Sequence, residues 1–312
     1  MGTTQLTSVS QQLQTIGDYI RFASSQFNQA DLFFGHGSDN AWDEAVALIM
    51  FAIHLPVNVS QQVLSYQLVE EEKNTIIALI EQRINKGIPA AYITNQVYFA
   101  NLPFFVDERV LVPRSPIAEL IKKRFTPYIN ELTPPSRILD LCTGSGCIAI
   151  ACAIEFPDSD VDAVDLSIDA LNVAQINIEN HGLSEQVIPI HSDVFSGVEN
   201  LTYDLIVTNP PYVDQEDMAS LPLEYTHEPE MGLGSGVDGL DVVRQILAQS
   251  AQHLNDNGIL ICEVGNSQIH VEALYPHVPF IWIDFEDGGH GVFMLTKAQL
   301  EEFSSVFQQQ LV

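Results

Sequence analysis

The sequence predicts an α/β fold: a mostly parallel, Rossmann-like sheet preceded by a small helical domain and a β-hairpin. Three observations support this prediction. Apolar residues recur at helical spacing through residues 1–85, residues 92–112 change to the period of short strands, and strand patterns alternate with helix patterns from residue 137 onward. Because parallel strands are joined by crossover helices, this alternation is typical of a parallel sheet covered by helices on both faces.

The length and composition suit a protein with a substantial core and no membrane segment. The chain has 312 residues, of which 46% are hydrophobic, enough for one large domain or two ordinary ones. No basic leader precedes an apolar run at the N-terminus, and the longest apolar run, residues 45–53, is too short to span a bilayer. We therefore expect a cytoplasmic protein that has no membrane partner.

Charge is the unusual feature of the composition. Twelve basic residues stand against 41 acidic ones, which gives a formal net charge of −29. A field of this sign repels the phosphates of nucleic acids and attracts basic partners. General solubility or a saline habitat would explain the acidity equally well, so charge alone does not decide the function.

The cysteines and histidines lack the spacing of a metal site. No CxxC pair is present, so we expect reduced thiols in the core and no bound metal. The residues concerned are Cys142, Cys147, Cys152 and Cys262, together with His36, His54, His227 and His290.

The periodicity divides the chain into three parts. Residues 1–90 are expected to form the helical domain, residues 91–115 the hairpin connector, and residues 116–312 the α/β domain. Within the connector, Asn101, Leu102 and Pro103 predict the turn between the two short strands.

The third part contains seven predicted strands. In chain order they are RILDLC, VDAVDLS, VIPIHSD, YDLIVTN, GILICEVG, FIWIDF and GVFMLTK. A DGGH turn separates the last two, which predicts a hairpin that adds one antiparallel strand. In sheets of this kind, ligands bind at the carboxyl ends of the strands near the topological switch point, and three predicted strand ends carry polar residues.

The first strand end is the glycine-rich stretch DLCTGSGCIA, residues 140–149. Gly144 and Gly146 let the backbone approach a ligand closely, and the helix that follows offers free N–H groups. With Ala149, these glycines also satisfy the dinucleotide fingerprint G-x-G-x-x-A, so a nicotinamide dehydrogenase is a rival interpretation. A tight turn without a ligand is the plain structural alternative.

The second strand end is Asp165, nineteen residues after Gly146. A carboxylate at this place can accept hydrogen bonds from both ribose hydroxyls of an adenosine. This does not distinguish a dinucleotide from another adenosine cofactor. Asp165 could instead cap the next helix, although Ser167 is better placed for that role.

The third strand end is NPPY, residues 209–212, which a dehydrogenase does not require. Pro210 and Pro211 have no N–H and force extended conformations on the residues before them. The stiff turn presents the Asn209 side-chain oxygen and backbone carbonyls, and Tyr212 adds a flat apolar face. These groups form a socket for a planar NH2 group, with two acceptors for its hydrogens and a ring to stack on its plane. A rigid turn without a ligand is the alternative.

A planar NH2 group is a poor nucleophile because its lone pair is delocalised. Groups that accept both hydrogens return electron density to the nitrogen and fix the direction of its lone pair. The reaction then requires no strong general base at the motif. The electrophile must then be strong. The sulfonium methyl of S-adenosylmethionine meets this requirement, and the same molecule carries an adenosine for Asp165.

The order of these motifs resembles that of the seven-stranded class I S-adenosylmethionine methyltransferases, and more closely that of the protein-glutamine N5-methyltransferases. LVPRSP at 111–116, HEPEMGLGSGVDGL at 227–240 and the N-terminal helical domain extend the match over nearly the whole chain. FFGHGSDNAWDEA at 33–45 and DLCTGSGCIAIACA at 140–153 are similar to the branch that methylates large-subunit ribosomal protein L three. The sibling branch, which modifies peptide-chain release factors, usually has glycine where this chain has Cys142.

The resemblance implies a role for each motif. Asp140 would lie near the amino group of S-adenosylmethionine, and its methionine end would be lined by Cys142, Thr143, Gly144, Ser145 and Gly146. Asp165 would hold the ribose, and Asp193 and Val194 would border the adenine. The glutamine amide would be held by Asn209, Pro210, Pro211 and Tyr212. Among these, Asn209, Pro210 and Tyr212 are expected to be catalytic, and Asn209 also borders the cofactor. The methyl group would then transfer in line, mostly by positioning.

Several interpretations stay open at this point. A release factor glutamine is an alternative substrate, and adenine N6 or cytosine N4 of a nucleic acid presents the same NH2 group, although the net charge argues against phosphates. A cofactor-binding scaffold without activity is a third possibility. Five basic residues between Arg109 and Arg124 could contact ribosomal RNA or the cofactor carboxylate, or form a solvated helix. We expect the helical domain to recognise the protein substrate, whether free or in a ribosome assembly intermediate.

Overall fold

The structure is a computed structural model that describes residues 12–311 and divides into two units. Unit 1 contains the chain up to Val97 together with the later segment Pro222–His227. Unit 2 contains Tyr98–Leu221 and the chain from Glu228 onward. The backbone therefore passes from unit 2 into unit 1 and back again after the predicted NPPY motif.

Unit 1 is helical, as its apolar periodicity predicts. Its helices are α1 (Ile16–Gln29), α2 (Ala41–Ala52), α3 (Glu70–Lys86) and α4 (Ala90–Thr94), with a short 3-10 helix at Gln61–Ser65. Thr15 begins α1 in a capping box: its hydroxyl accepts from the Asp18 N–H, and the Asp18 carboxylate accepts from the Thr15 N–H. Gly87, with φ of 67°, ends α3 in the left-handed conformation.

Arg83 of α3 forms a buried ion cluster inside unit 1. Its guanidinium donates to Glu44 at 2.5 Å, to Glu224 at 3.0 Å and to the Phe33 carbonyl at 2.9 Å, and its side chain is 1% exposed. Glu224 also accepts from the Phe33 N–H at 3.0 Å. Burial raises the pKa of Glu44. Because Glu224 lies in Pro222–His227, this cluster holds the returning segment within unit 1.

The hairpin consists of β1 (Val97–Phe99) and β2 (Leu102–Phe104). Its turn residues are Ala100 and Asn101, both with positive φ, which matches the twist of a two-residue hairpin turn. The sequence placed the turn at Asn101, Leu102 and Pro103. That position was wrong, because Leu102 and Pro103 already belong to the second strand.

Unit 2 contains the predicted seven-stranded sheet. Its strands are β3 (Arg137–Leu141), β4 (Asp160–Asp165), β5 (Val187–His191), β6 (Tyr203–Thr208), β7 (Leu254–Glu263), β8 (Ile281–Trp282) and β9 (Val292–Thr296). They pair in the order β5-β4-β3-β6-β7-β9-β8, and only β9 runs against its neighbours. The predicted α/β fold and its single antiparallel strand are confirmed. The switch point lies between β3 and β6.

Within Tyr98–Leu311, eight α-helices of unit 2 lie before, between or after these strands. They are α5 (Ile117–Lys122), α6 (Cys147–Glu155), α7 (Ile168–Asn180), α8 (Gln215–Ser220), α9 (Asp241–Gln249), α10 (Gln268–Leu274), α11 (Lys297–Glu302) and α12 (Ser304–Gln308). Leu139, Ile206 and Leu260 from the centre of the sheet are fully buried in one apolar cluster, into which Phe293 of β9 also packs.

The basic residues between Arg109 and Arg124 are mostly engaged within unit 2. Arg109 pairs with Asp107, Arg114 with Glu228, Lys123 with Glu119 and Glu286, and Arg124 lies over the Phe156 ring and donates to the Glu155 carbonyl. Lys122 is exposed. Ion pairing and stacking within the fold therefore account for four of these five cations.

The cysteines are free thiols, and Cys147, Cys152 and Cys262 are buried as predicted. The expectation of a core position was wrong for Cys142, which is only half-buried because it lies in the loop after β3. Burial raises the pKa of Cys147 to about 12. Within the part of the chain that the structure describes, no group of three or more His, Cys, Asp or Glu side chains could hold a metal ion. None of the helices between residues 12 and 311 is both long and apolar enough to cross a membrane.

The Arg83 cluster generates a stability prediction for unit 1. Arg83→Leu would leave Glu44 and Glu224 buried without a cation, and breaking such a pair typically costs about 3–5 kcal/mol. We expect a loss of this size in the opening free energy of α1 to α3, measured by hydrogen exchange of their amides in increasing urea. Arg21→Leu, at an exposed position of α1, is the control and should change it by less than about 0.5 kcal/mol. Equal effects would show that the cluster does not stabilise unit 1.

Candidate active site

The candidate site lies at the edge of the sheet where β3, β4 and β6 end. Leu141 of β3 pairs in parallel register with Val164 of β4 and Thr208 of β6, so the residues that follow each strand emerge together. The Thr208 hydroxyl donates to the Leu141 carbonyl at 2.8 Å and joins two of these ends. The glycine-rich loop, Asp165 and NPPY therefore occupy one edge, at the switch point where ligands bind in such sheets.

The glycine-rich loop is a sharp turn that depends on left-handed backbone. Gly144 and Gly146 have φ of 55° and 79°. A Cβ at Gly146 would lie 3.2 Å from the Ala174 Cβ, so this glycine lets the loop pack against α7, whereas a Cβ at Gly144 would meet nothing within 4 Å. Gly144 thus borders open space, as expected for a backbone that a ligand approaches.

Cys142 also lies in the left-handed region, with φ of 59°. This conformation costs a residue with a side chain roughly 1–2 kcal/mol relative to the right-handed one. The next residue anchors the turn, because the Thr143 N–H donates to the Val164 carbonyl at 2.9 Å. Cys142 is therefore held in a conformation that glycine would adopt without strain.

Asp140 of β3 supplies a buried carboxylate behind the loop. One of its oxygens accepts from the Thr143 hydroxyl at 2.6 Å and from the Ala149 N–H at 3.0 Å. The other oxygen, Oδ1, is buried and has no hydrogen-bond partner within residues 12–311. Burial raises the pKa of Asp140 to about 7. An unsatisfied buried acceptor of this kind suits a cationic or N–H donor from a ligand.

Asp165 ends β4 and is fixed by backbone donors. Its Oδ2 accepts from the Gly144 N–H at 2.8 Å, and its Oδ1 accepts from the Ser167 N–H at 2.8 Å. Burial raises the pKa of Asp165. Ser167 is the residue that caps α7, since its hydroxyl accepts from the Ala170 N–H at 3.1 Å. The capping role weighed for Asp165 thus belongs to Ser167.

Asp193 and Val194 follow β5. Asp193 is exposed, whereas Val194 is buried and packs into the apolar cluster of unit 2. Val194 has φ of 48°, an uncommon conformation for a β-branched residue. Ser192 stabilises this turn, because its hydroxyl donates to the Val194 carbonyl at 2.9 Å and accepts from the Gly197 N–H at 2.7 Å.

The NPPY turn follows β6 directly. Asn209 is half-buried, Pro210 is buried, and Pro211 and Tyr212 are half-buried. The Tyr212 carbonyl accepts from the Ser267 hydroxyl at 2.7 Å, so it is already engaged within the fold. The Asn209 side-chain oxygen and the Pro210 carbonyl are therefore the better candidates for the two acceptors of an NH2 group.

Sequence reasoning missed one polar residue that contacts this turn. Glu263, the last residue of β7, accepts from the Tyr212 hydroxyl at 3.0 Å and from the Ser115 hydroxyl. Burial raises the pKa of Glu263 to about 7. The available signal was a single acid at the end of the otherwise apolar run GILIC.

The strands β3 to β6 and the NPPY turn lie within a region that matches a known protein-family model. Residues 127–223 match the family model of the methyltransferase small domain. A solved methyltransferase from Pyrococcus furiosus is similar at 18% identity, covering 62% of this chain and 88% of that chain with a TM-score of 0.44. The sheet order is that of the class I methyltransferase fold, and the matched region carries a methyltransferase domain.

Two curated relatives are much more similar. The ribosomal protein uL3 glutamine methyltransferase of Neisseria gonorrhoeae is 52% identical over 93% of this chain and 97% of its own length. The protein of the same description from Neisseria meningitidis is 51% identical over 93% of this chain and 96% of its own length. This chain therefore belongs to the family of ribosomal protein uL3 glutamine methyltransferases, and the resemblance found in the sequence is confirmed.

Proposed function

We propose that this chain transfers the methyl group of S-adenosylmethionine to the side-chain amide nitrogen, N5, of a glutamine in uL3, the large-subunit ribosomal protein L three. The observation that carries the proposal is the position of NPPY. It follows β6 immediately beside the end of β3, where the glycine-rich loop begins. The residues that would bind a planar NH2 group and those that would bind an adenosine cofactor thus follow neighbouring strands at the switch point.

Residues at this edge fit S-adenosylmethionine. The unsatisfied Oδ1 of Asp140 suits the amino group, and the open space at Gly144 suits a ligand lying against the backbone. Asp165, whose carboxylate is held by the Gly144 N–H, would accept from the ribose hydroxyls. Cys142, Thr143, Ser145 and Gly146 would line the methionine end, and Asp193 and Val194 would border the adenine. When bound, the cofactor supplies a sulfonium methyl, an electrophile strong enough for a weak nucleophile.

The NPPY residues would bind and orient the amide. The Asn209 side-chain oxygen and the Pro210 carbonyl would accept the two amide hydrogens, which directs the nitrogen lone pair and raises its electron density. Pro211 keeps the turn rigid, and the Tyr212 ring would stack on the amide plane. Positioning of this kind can contribute much of the rate enhancement without a strong general base.

The net charge of −29 supports a basic protein substrate. An acidic surface field accelerates encounters with a basic protein and opposes the phosphates of RNA or DNA. A glutamine of a release factor would use the same chemistry, and adenine or cytosine would present the same NH2 group. We place the reaction in the cytoplasm, on free uL3 or on an assembly intermediate that contains it.

We assign substrate recognition to the helical domain, residues 1–90. Trp42 and Phe51 of α2 are exposed, at 47% and 40%, and large aromatic side chains are common anchors at protein interfaces. Addition of unmethylated uL3 should slow hydrogen exchange in unit 1, and Trp42→Ala should weaken binding. Protection confined to unit 2 would contradict this assignment.

The substrate can be identified with labelled S-adenosylmethionine and ribosomal proteins from cells that lack the enzyme. We expect mass spectrometry to locate one added methyl on a glutamine of uL3. Label on a release factor would support glutamine methylation but identify a different protein substrate. Label confined to RNA or DNA would show that the NH2 socket binds a base.

The socket can be tested with Asn209→Ala. Removing one preorganised polar contact to a reacting group lowers rates by about 10²–10³, and we expect a loss of that size in kcat. Cofactor affinity, measured by calorimetry, should stay nearly unchanged. Asn200→Ala, at an exposed position, is the matched control. Wild-type turnover in Asn209→Ala would refute the socket.

The cofactor site can be tested with a matched pair of glycines. Gly144 and Gly182 both have positive φ, of 55° and 70°, and a Cβ at either would meet nothing within 4 Å. Alanine should therefore introduce a similar backbone strain of roughly 1–2 kcal/mol at each position. Only Gly144→Ala should also weaken S-adenosylmethionine binding, by about tenfold or more, because its methyl group enters the ligand space. Equal affinities of the two variants would contradict the assignment.

A further inference from the structure

Glu263 is a buried carboxylate to which the proposed mechanism gives no role. It ends β7 between Cys262 and Val264, both fully buried, and is itself 4% exposed. Burying an ionised carboxylate costs several kcal/mol unless it is well paired. Both of its oxygens accept from hydroxyl groups, one from Tyr212 and the other from Ser115.

The Ser115 hydroxyl is oriented toward Glu263 by its own neighbour. Its oxygen accepts from the Ile117 N–H at 3.1 Å at the start of α5. The hydroxyl proton is then directed to the carboxylate, which leaves the opposite oxygen of Glu263 for Tyr212. Burial raises the pKa of Glu263, and the charge of Arg114 opposes this rise only in part, since its guanidinium forms a bidentate pair with Glu228 at 2.6 and 2.7 Å. Within residues 12–311, the hydroxyls of Tyr212 and Ser115 hold the carboxylate, and no direct ion pair does.

Tyr212 is confined by the segment that follows Glu263 and by the backbone at Gly239. A Cβ at Gly265 would lie 2.5 Å from Cε2 of the Tyr212 ring, so the ring packs directly on this backbone. The Tyr212 carbonyl is fixed by Ser267, and a Cβ at Gly239 would lie 2.2 Å from that carbonyl oxygen. The tyrosine backbone and one ring edge are thus fixed, and the hydroxyl bond to Glu263 fixes the far end of the ring.

We propose that Glu263, supported by Ser115, is a positioning residue that holds the Tyr212 ring in the orientation needed to stack on the substrate amide. This inference rests on the proposed function, because it takes the amide as the group that Tyr212 contacts. Glu263 acts on the reaction through the Tyr212 hydroxyl and touches neither substrate nor cofactor. A misplacement of about 1 Å in a positioning group can cost about 10²-fold in rate.

A double-mutant cycle tests the coupling. Glu263→Met removes the acceptor at similar volume, and Tyr212→Phe removes the donor. We expect each to lower kcat by about 10-fold to 10²-fold, with KM for uL3 and cofactor affinity within about twofold of wild type. Because the two changes break the same contact, the double variant should be no slower than the slower single variant. Glu272→Met, at an exposed position of α10, is the control and should have wild-type kinetics.

The conservative variant Glu263→Gln distinguishes a role of Glu263 in positioning Tyr212 from a general role in stabilising the fold. Glu263→Gln keeps an oxygen for Tyr212 and can donate to the Ser115 oxygen, so most of the activity should return. Fully additive losses in Glu263→Met and Tyr212→Phe would overturn the proposal, as would a Glu263→Gln variant no faster than Glu263→Met. If Glu263→Met does not fold, Ser115→Ala replaces it in the cycle, with an expected loss of several-fold that disappears in the Tyr212→Phe background.

A spectroscopic measurement keeps this inference distinct from the proposed function. With ¹³C-labelled tyrosine, the Cζ resonance of Tyr212, assigned by its loss in Tyr212→Phe, reports the hydrogen bond of its hydroxyl without any turnover. It should move in Glu263→Met and in Ser115→Ala, and stay unchanged in Glu272→Met. If wild-type protein methylates no glutamine, the proposed function fails whatever this resonance shows. If glutamine is methylated but the resonance does not move, the positioning role fails alone.

Discussion

The parallel pairing of β3 with β4 and β6 is the constraint on which the rest of the site depends. It brings three strand ends to one edge, so residues far apart in the chain become neighbours. The reversal of strand order between β3 and β6 separates the helices at that edge and leaves room for a ligand. Because the strand ends are already adjacent, the conformation of each turn alone decides whether the glycine-rich loop and the NPPY turn border the same space.

That local geometry is strained, and the fold supports it with hydrogen bonds. Cys142 and Val194 adopt left-handed backbone although neither is a glycine. The Thr143 N–H anchors the first turn to β4, and the Ser192 hydroxyl bridges the second. Strained conformations persist only where their surroundings over-determine them, and they concentrate at functional sites. The loops that would contact the cofactor are therefore held before it binds, which reduces the ordering required on binding.

Much of the fold and of the candidate site followed from local patterns, because alternating strands and helices leave few possible topologies. The strand-end residues could be named in advance for the same reason. Glu263 could not, since its partners Tyr212 and Ser115 lie 51 and 148 residues away and nothing in GILICEVG marks them. The placement of Pro222–His227 in unit 1 was also invisible, because it depends on a buried contact between Glu224 and Arg83. The hairpin turn was misplaced because Asn101-Leu102-Pro103 looked like a loop, while Ala100 gives no turn signal.

The return of Pro222–His227 to unit 1 means that this protein is not modular in the way its linear order suggests. Cutting the chain once, after the helices, would not separate two self-contained pieces, because six residues of the helical unit are encoded far downstream. A chimaera that exchanges helical domains between relatives would have to exchange this short insert as well, so that Glu224 and Arg83 come from the same parent. Recombination between diverged homologues faces the same restriction, and the two segments should therefore evolve as one.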